Sequence, residues 1–289
     1  LNFAYYGKKK KDEKVQAMAD RIKARLSPED QDWVDQQLAT EPPFPPPFRY
    51  SGIGLRLGAD VQFAALADFN DYAKTLKGMG VSAASPAVAL GAEISPFVQV
   101  IDGLEAGFSL GGIFLGGFSA STNSASPQQN GNIDYDLWDG GLDLKATFLR
   151  ADRGKIRFFL EADPRAYLGS LSVVNSDTSV NWGFLPVNGN FSTTGFGGVL
   201  KLGMEWKPLP NSLVGFFAGY QMADLTGFTG SGAANGSSTA VPGKLVTVRD
   251  PSGTRLEFVP DGSPDPAGAS PTALDLGGVV AGAQLTALF

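Results

Sequence analysis

From residue 48 to the carboxy terminus, apolar and polar residues alternate with period two. That is the mark of strands whose two faces meet different surroundings. Eight segments carry it: 48–66, 82–98, 103–119, 133–150, 155–171, 193–207, 212–228 and 271–289. In the first, Ile53, Leu55, Leu57, Ala59, Val61 and Phe63 oppose Gly54, Arg56, Gly58, Asp60 and Gln62. In the last, Val279, Ala281, Ala283, Leu285, Ala287 and Phe289 form one wholly apolar face. Strands of soluble proteins usually have about five or six residues, and a tilted strand crosses hydrocarbon in about 9–11. The segments here are longer than either.

The connections alternate in length. Short ones lie at 99–102, 151–154 and 207–212, long ones at 67–81, 120–132, 172–192 and 229–270. An even number of strands with short turns on one side and long loops on the other predicts an up-and-down antiparallel barrel. A Greek-key sandwich has no reason to alternate its loops this way. Within the last loop, 244–249 and 254–259 flank Asp250-Pro-Ser-Gly253 and predict a hairpin. Its arms are too short to span a membrane, so it is expected outside the barrel, with a ten-stranded barrel as the alternative.

Residues 1–46 follow another rule. Val15, Met18, Ile22 and Leu26 recur at helical spacing. Ser27-Pro28-Glu29-Asp30 then starts a second helix that carries Trp33 and Val34, and a proline-rich strap over 41–47 closes the segment. The domain reading is a periplasmic helical arm over 1–46 and a barrel over 47–289.

Composition narrows the function. The chain has 289 residues, no Cys and no His. Disulfides and thiolate chemistry are impossible, and the commonest general base and metal ligand is missing. Enzymatic activity, a cofactor and a resident metal are therefore not expected. A net charge of −6 gives no support to nucleic-acid binding. No apolar run of helical spanning length exists, and Leu1 is read as the start of a mature form whose export signal has been removed.

The charged face must point away from lipid, because a lipid-facing Arg or Lys at the midplane costs about 2–4 kcal/mol. The expected lumen network is Arg56, Asp60, Glu93, Glu105, Asp143, Lys145, Arg157, Glu161, Arg165, Lys201 and Glu205. An eight-stranded barrel is just wide enough for such side chains to fill it. Aromatic girdles are expected from Phe48, Tyr50, Phe97, Trp206 and Phe289 on the turn side. On the loop side they would be Phe118, Tyr135, Trp138, Tyr167, Trp182, Tyr220 and Phe228. Asp134, Asp136 and Asp139 with Asn132 form a weak candidate cation site at the outer rim, and a solvated acidic loop is the preferred reading.

The strand count, the alternating loops and the terminal Phe289 resemble the small outer-membrane barrel superfamily of the OmpA, OmpX and OmpW type. The resemblance covers about residues 48–289 and is architectural. It implies an all-β membrane protein: an eight-stranded antiparallel transmembrane barrel with a short N-terminal helical extension, in the bacterial outer membrane. It also implies that the last strand, with Leu285 and Phe289, is the signal read by the barrel-assembly machinery. Outer-membrane lipid and lipopolysaccharide are then expected partners. The leading expectation is a non-enzymatic anchor or assembly subunit that holds another envelope protein through Met18, Ile22, Trp33 and Val34. The alternatives are a small channel or lateral conduit for hydrophobic solutes, and a surface adhesin or receptor working through 229–270.

Overall fold

The computed structural model describes residues 52–122, 130–151, 155–175, 185, 187–209, 211–234 and 237–289. The expected helical arm, with Met18, Ile22, Trp33 and Val34, lies outside the described residues, as do Phe48, Tyr50 and Trp182.

In chain order the elements are β1 Ile53–Phe63, α1 Ala67–Gly78, β2 Ser82–Ala84, β3 Val88–Ile101, β4 Leu104–Leu115, β5 Phe118–Ser121, β6 Asn130–Ala151, β7 Ile156–Asn175 and β8 Val187–Leu209. Then follow β9 Ser212–Thr226, β10 Thr229–Ala234, β11 Val241–Asp250, β12 Gly253–Pro260, β13 Ala269–Pro271, β14 Ala273–Asp275 and β15 Gly278–Leu288. The described protein is thus nearly all antiparallel sheet with one short helix.

Eight strands pair in sequence, β1–β3–β4–β6–β7–β8–β9–β15, and β15 pairs back onto β1 with Leu57 opposite Leu285. The cycle is uneven. Strands β1 and β15 have 11 residues each, whereas β6, β7 and β8 have 22, 20 and 23. The upper halves of the long strands find other partners. Strand β5 continues β4 along β6 after a one-residue bulge at Gly116–Gly117. Strand β10 continues β9 along β8 after another at Gly227, whose φ of 74° suits glycine. Strand β14 continues β15 along β9 with no change of register.

The predicted hairpin forms as β11–β12, with Asp250 opposite Gly253. It joins the sheet through β10 and β13, not through the eight-strand cycle. The ten-stranded alternative is therefore not what is seen. Further departures concern segments read from pattern alone. The segments 82–98, 103–119 and 271–289 are each broken into separate strands, and the loop 67–81 contains α1.

Helix α1 forms because Phe69, Tyr72, Ala73 and Leu76 fall at i, i+3, i+4 and i+7, and all four are buried. Leu66 precedes it in the left-handed region at φ 45°, which is costly for a side chain of this kind. Its fully buried side chain and the hydrogen bond from its N–H to Asp275 O (3.0 Å) hold it there. The helix packs against β2, β5, β12 and β14, above the point where β1 ends. Around it lies the main apolar core, which includes Phe118, Ile133, Leu171, Phe191, Leu225, Phe228, Leu245 and Leu256.

The opposite face of the cycle is apolar and exposed on every strand. Leu57, Ile94, Leu110, Leu144, Leu160, Leu202, Phe216 and Leu285 are 43–59% exposed. On β6 this band ends abruptly: Asn132, Asp134 and Asp136 are outward above Trp138, and Leu142 and Leu144 are outward below it. On β8, Asn190, Ser192 and Thr194 give way to Phe196 and Leu200 in the same manner.

Candidate functional site

Below the apolar core, the inward face of the same strands carries charge. Arg56 of β1 is fully buried. It donates to Glu105 Oε2 of β4 (2.7 Å) and to Asp143 of β6, and its Nη1 lies 3.5 Å from Glu161 Oε2 of β7. Ser95 of β3 also donates to Asp143 (2.5 Å). Lys201 of β8 reaches Glu161 (2.7 Å), Glu93 (2.9 Å) and Asp163 (2.9 Å). Arg165 of β7 bridges Glu93 (2.5 Å), Asp139 (2.9 Å) and Asp163 (3.0 Å). Lys145 of β6 pairs with Glu205 of β8, which also accepts from Gln284 of β15 (3.0 Å). Arg157 lies 3.9 Å from Glu105.

These contacts cross the structure as well as follow its wall. Glu93 on β3 and Lys201 on β8 stand four strands apart in either direction round the cycle, and so do Arg56 on β1 and Glu161 on β7. Three cations also sit over rings: Arg56 over Phe97 (4.8 Å), Lys145 over Phe159 (4.1 Å) and Lys201 over Phe217 (5.1 Å). Glycines opposite the large groups make the room. A side chain at Gly58 would meet Glu93 at 2.7 Å, and one at Gly203 would meet Phe159 at 2.3 Å.

Ten of the eleven expected network residues come together in this way. Asp60 faces the same side but takes part in no ion pair among the described residues, and it is only half-buried. The expected network left out Ser95, Asp139, Asp163 and Gln284. Strand phase puts Asp163 on the face of Glu161 and Arg165, Gln284 on the polar face of the last strand, and Asp139 in phase with Asp143 and Lys145. The count then becomes eight carboxylates (Asp60, Glu93, Glu105, Asp139, Asp143, Glu161, Asp163, Glu205) against five bases (Arg56, Lys145, Arg157, Arg165, Lys201).

The rim cation site does not form. Asp134 and Asp136 point outward, while Asp139 is buried on the other face and bound to Arg165. Of the acids inside, Asp143, Glu161 and Asp163 approach one another within 4.8 Å, the spacing of a metal ligand set. Arg56 and Lys201 already sit against these carboxylates and supply the positive charge.

The expected girdle residues divide between the two faces. Trp138, Trp206, Tyr220 and Phe289 are exposed on the outward face. Phe97, Phe118, Tyr167 and Phe228 are buried inward, and Tyr135 packs against the core. Position at a strand end suggested a girdle, but strand phase decides which way the ring points. Phe289 is held by its N–H to Ile53 O (3.0 Å), where the last strand meets the first.

The loop-side region has a polar anchor of its own. Asp68, in the first turn of α1, is buried. It accepts from Thr247 Oγ1 (3.0 Å), from the Ala273 N–H (2.9 Å) and from Arg249. Thr75 Oγ1 accepts from the Thr254 N–H (2.9 Å). Helix and hairpin are tied at both ends of α1. Burial holds the Tyr72 phenol above its ordinary range, and its ring stacks on Phe118 at 5.6 Å. Asp250 is held low by the Ser252 hydroxyl and backbone N–H in the hairpin turn.

No protein-family model matches the chain, and no curated protein matches it.

Proposed function

We propose that residues 51–289 are a closed, filled eight-stranded transmembrane β-barrel of the bacterial outer-membrane type, and that its work is anchorage. The observation that carries this reading is the combination of two faces on one set of strands. Large apolar side chains are exposed outward on all eight, and an ion-pair network is buried within. A soluble monomer rarely exposes contiguous apolar patches beyond a few hundred Å². In lipid, a pairing cycle with no free edge is what a spanning sheet requires. Ion pairs running strand to opposite strand leave little room for a conduit, which favours the anchor over the channel.

The chemistry of the network fits structure better than catalysis. Each cation touches several carboxylates, and no His or Cys is present to act as base or nucleophile. The anchor reading assigns the arm, through Trp33 and its neighbours, to a second envelope protein. Crosslinking from Trp33 in cells tests that assignment: a specific adduct supports it, and no adduct with an arm free in solution sinks it. Planar-bilayer recording tests the filled interior. The reconstituted protein should be electrically silent. Stable unitary currents that change on neutralising Arg56 or Lys145 would favour the channel.

A further inference from the structure

Pro96 on β3 and Pro164 on β7 interrupt the wall well inside a strand. Proline has no N–H to give to a ladder. The pairing of β3 with β4 skips from Ile94↔Leu110 to Phe97↔Gly107, and that of β6 with β7 from Gly141↔Arg165 to Leu144↔Ala162. An outward-facing groove lies beside each proline. The larger, about 610 Å³, is beside Pro164. Its floor is Gly140, Gly141 and Gly197, and its sides are Phe108, Leu142 and Phe196. Phe196 is 85% exposed, so the groove has a standing aromatic wall.

The groove lies at the top of the apolar band, and what lies above it has one sign of charge. Asp136 and Asp134 point outward on β6, with Ser170 on β7 and Thr194 on β8. No Lys or Arg occurs in 130–137, 169–175 or 187–195, and neither Asp is in an ion pair among the described residues. From Gly140 to Asp136 is four strand residues, about 13 Å along the strand and roughly 9 Å vertically at a barrel's tilt. That is comparable to the polar headgroup layer of a bilayer leaflet, about 5–8 Å.

We propose that this groove seats an acyl chain of one lipid whose headgroup carries an ammonium group, held against Asp136 and Asp134. The apolar floor selects the chain and the acidic rim selects the head. The assignment rests on the transmembrane reading and adds a ligand class to it.

The test is lipid retention by the whole chain from vesicles of equal phosphatidylethanolamine and phosphatidylglycerol, read by native mass spectrometry after mild extraction. Protease protection in the same vesicles reports insertion. The wild type should retain the ethanolamine lipid about threefold over the glycerol lipid, the scale of one half-exposed ion pair. The double variant Asp134→Lys/Asp136→Lys should invert the ratio. Gly140→Leu, which fills the floor, should lose retention of both lipids. Equal retention by an inserted wild type, or an unchanged ratio in the double variant, overturns the site and leaves the barrel standing. Retention of the anionic lipid that a chelator abolishes would mean a bridging divalent cation and overturns the ammonium assignment. A chain that fails to insert overturns both readings.

Discussion

The two storeys of this sheet are built from the same strands and solve the same problem in opposite ways. Below, β1, β3, β4, β6, β7 and β8 fill their shared interior with ion pairs. Above, the extended parts of β6, β7 and β8 enclose Phe118, Ile133, Leu171 and Phe191 around α1. In the lower part β15 pairs back onto β1, and ion pairs occupy the inward face. In the upper part β1 has already ended, and α1 with the β11–β12 hairpin supplies the missing wall and core. The ionic layer gives little net stability; its carboxylates are shared between cations of different strands, and we read that sharing as what fixes which strand stands where. The apolar layer gives stability without that specificity. Breaking one should therefore damage the whole cycle, and breaking the other should be local.

The largest effect is expected from Lys201→Met. It takes the nearest cation from Glu161 and leaves Glu93 and Asp163 to Arg165 alone, and should cost about 3–5 kcal/mol, the usual penalty for breaking a buried ion pair from one side. Unfolding by urea in detergent, followed by heat-modifiable gel mobility, should show the loss across the whole molecule. Asp163→Asn in the same network should cost less, because carboxylates already outnumber bases there. If both variants behave alike, the charge count is not what matters.

Phe69→Ala sharpens the other side of the comparison. It empties part of the core beneath α1 and should cost about 3 kcal/mol or somewhat more locally. Limited proteolysis should then cut within 67–81 or 241–271 while the heat-modifiable shift persists. Loss of that shift would mean that the two storeys fold as one.

Asp68→Ala comes next. It removes the acceptor for Thr247, Arg249 and the Ala273 N–H, and should cost about 1–3 kcal/mol. Hydrogen exchange at Ala273 and across β11 should speed up, with exchange in β1 and β15 unchanged.

The smallest effect is a pH dependence. The folded state holds Asp250 below its unfolded value, so its contribution is present at neutral pH and is lost as pH falls through the lowered value. Acid should therefore speed cleavage at the β11–β12 turn in the wild type. Asp250→Asn should remove that response, and a response that survives the substitution would have another origin.

Much of the lower storey was legible because period-two alternation states both which residues turn inward and what they meet. Arg56, Lys145, Glu161, Lys201 and Glu205 could be placed from phase alone. The upper storey was not, because its parts break that period. Gly116–Gly117 and Gly227 shift the register by one residue, which reverses the faces beyond them. Phe118 and Phe228 follow those bulges directly and were read as girdle residues. Helix α1 was visible in Phe69, Tyr72, Ala73 and Leu76, but twelve residues between two strands looked like loop. That the inner face changes from charged to apolar partway up β6, between Asp139 and Leu137, is in the sequence. Its meaning depends on α1 being there to pack against.

The central claim is that the outward apolar band meets lipid on every strand of a closed cycle. The natural absence of Cys makes this directly measurable. Single cysteines at Leu57, Ile94, Leu110, Leu144, Leu160, Leu202, Phe216 and Leu285 would carry spin labels in reconstituted vesicles. Asn190 and Asp134 serve as controls above the band. All eight band positions should collide with oxygen dissolved in the acyl chains and be shielded from a water-soluble relaxer, with the two controls reversed. Ready access of the water-soluble relaxer to the band, in a protein that stays monomeric without detergent, would contradict the account.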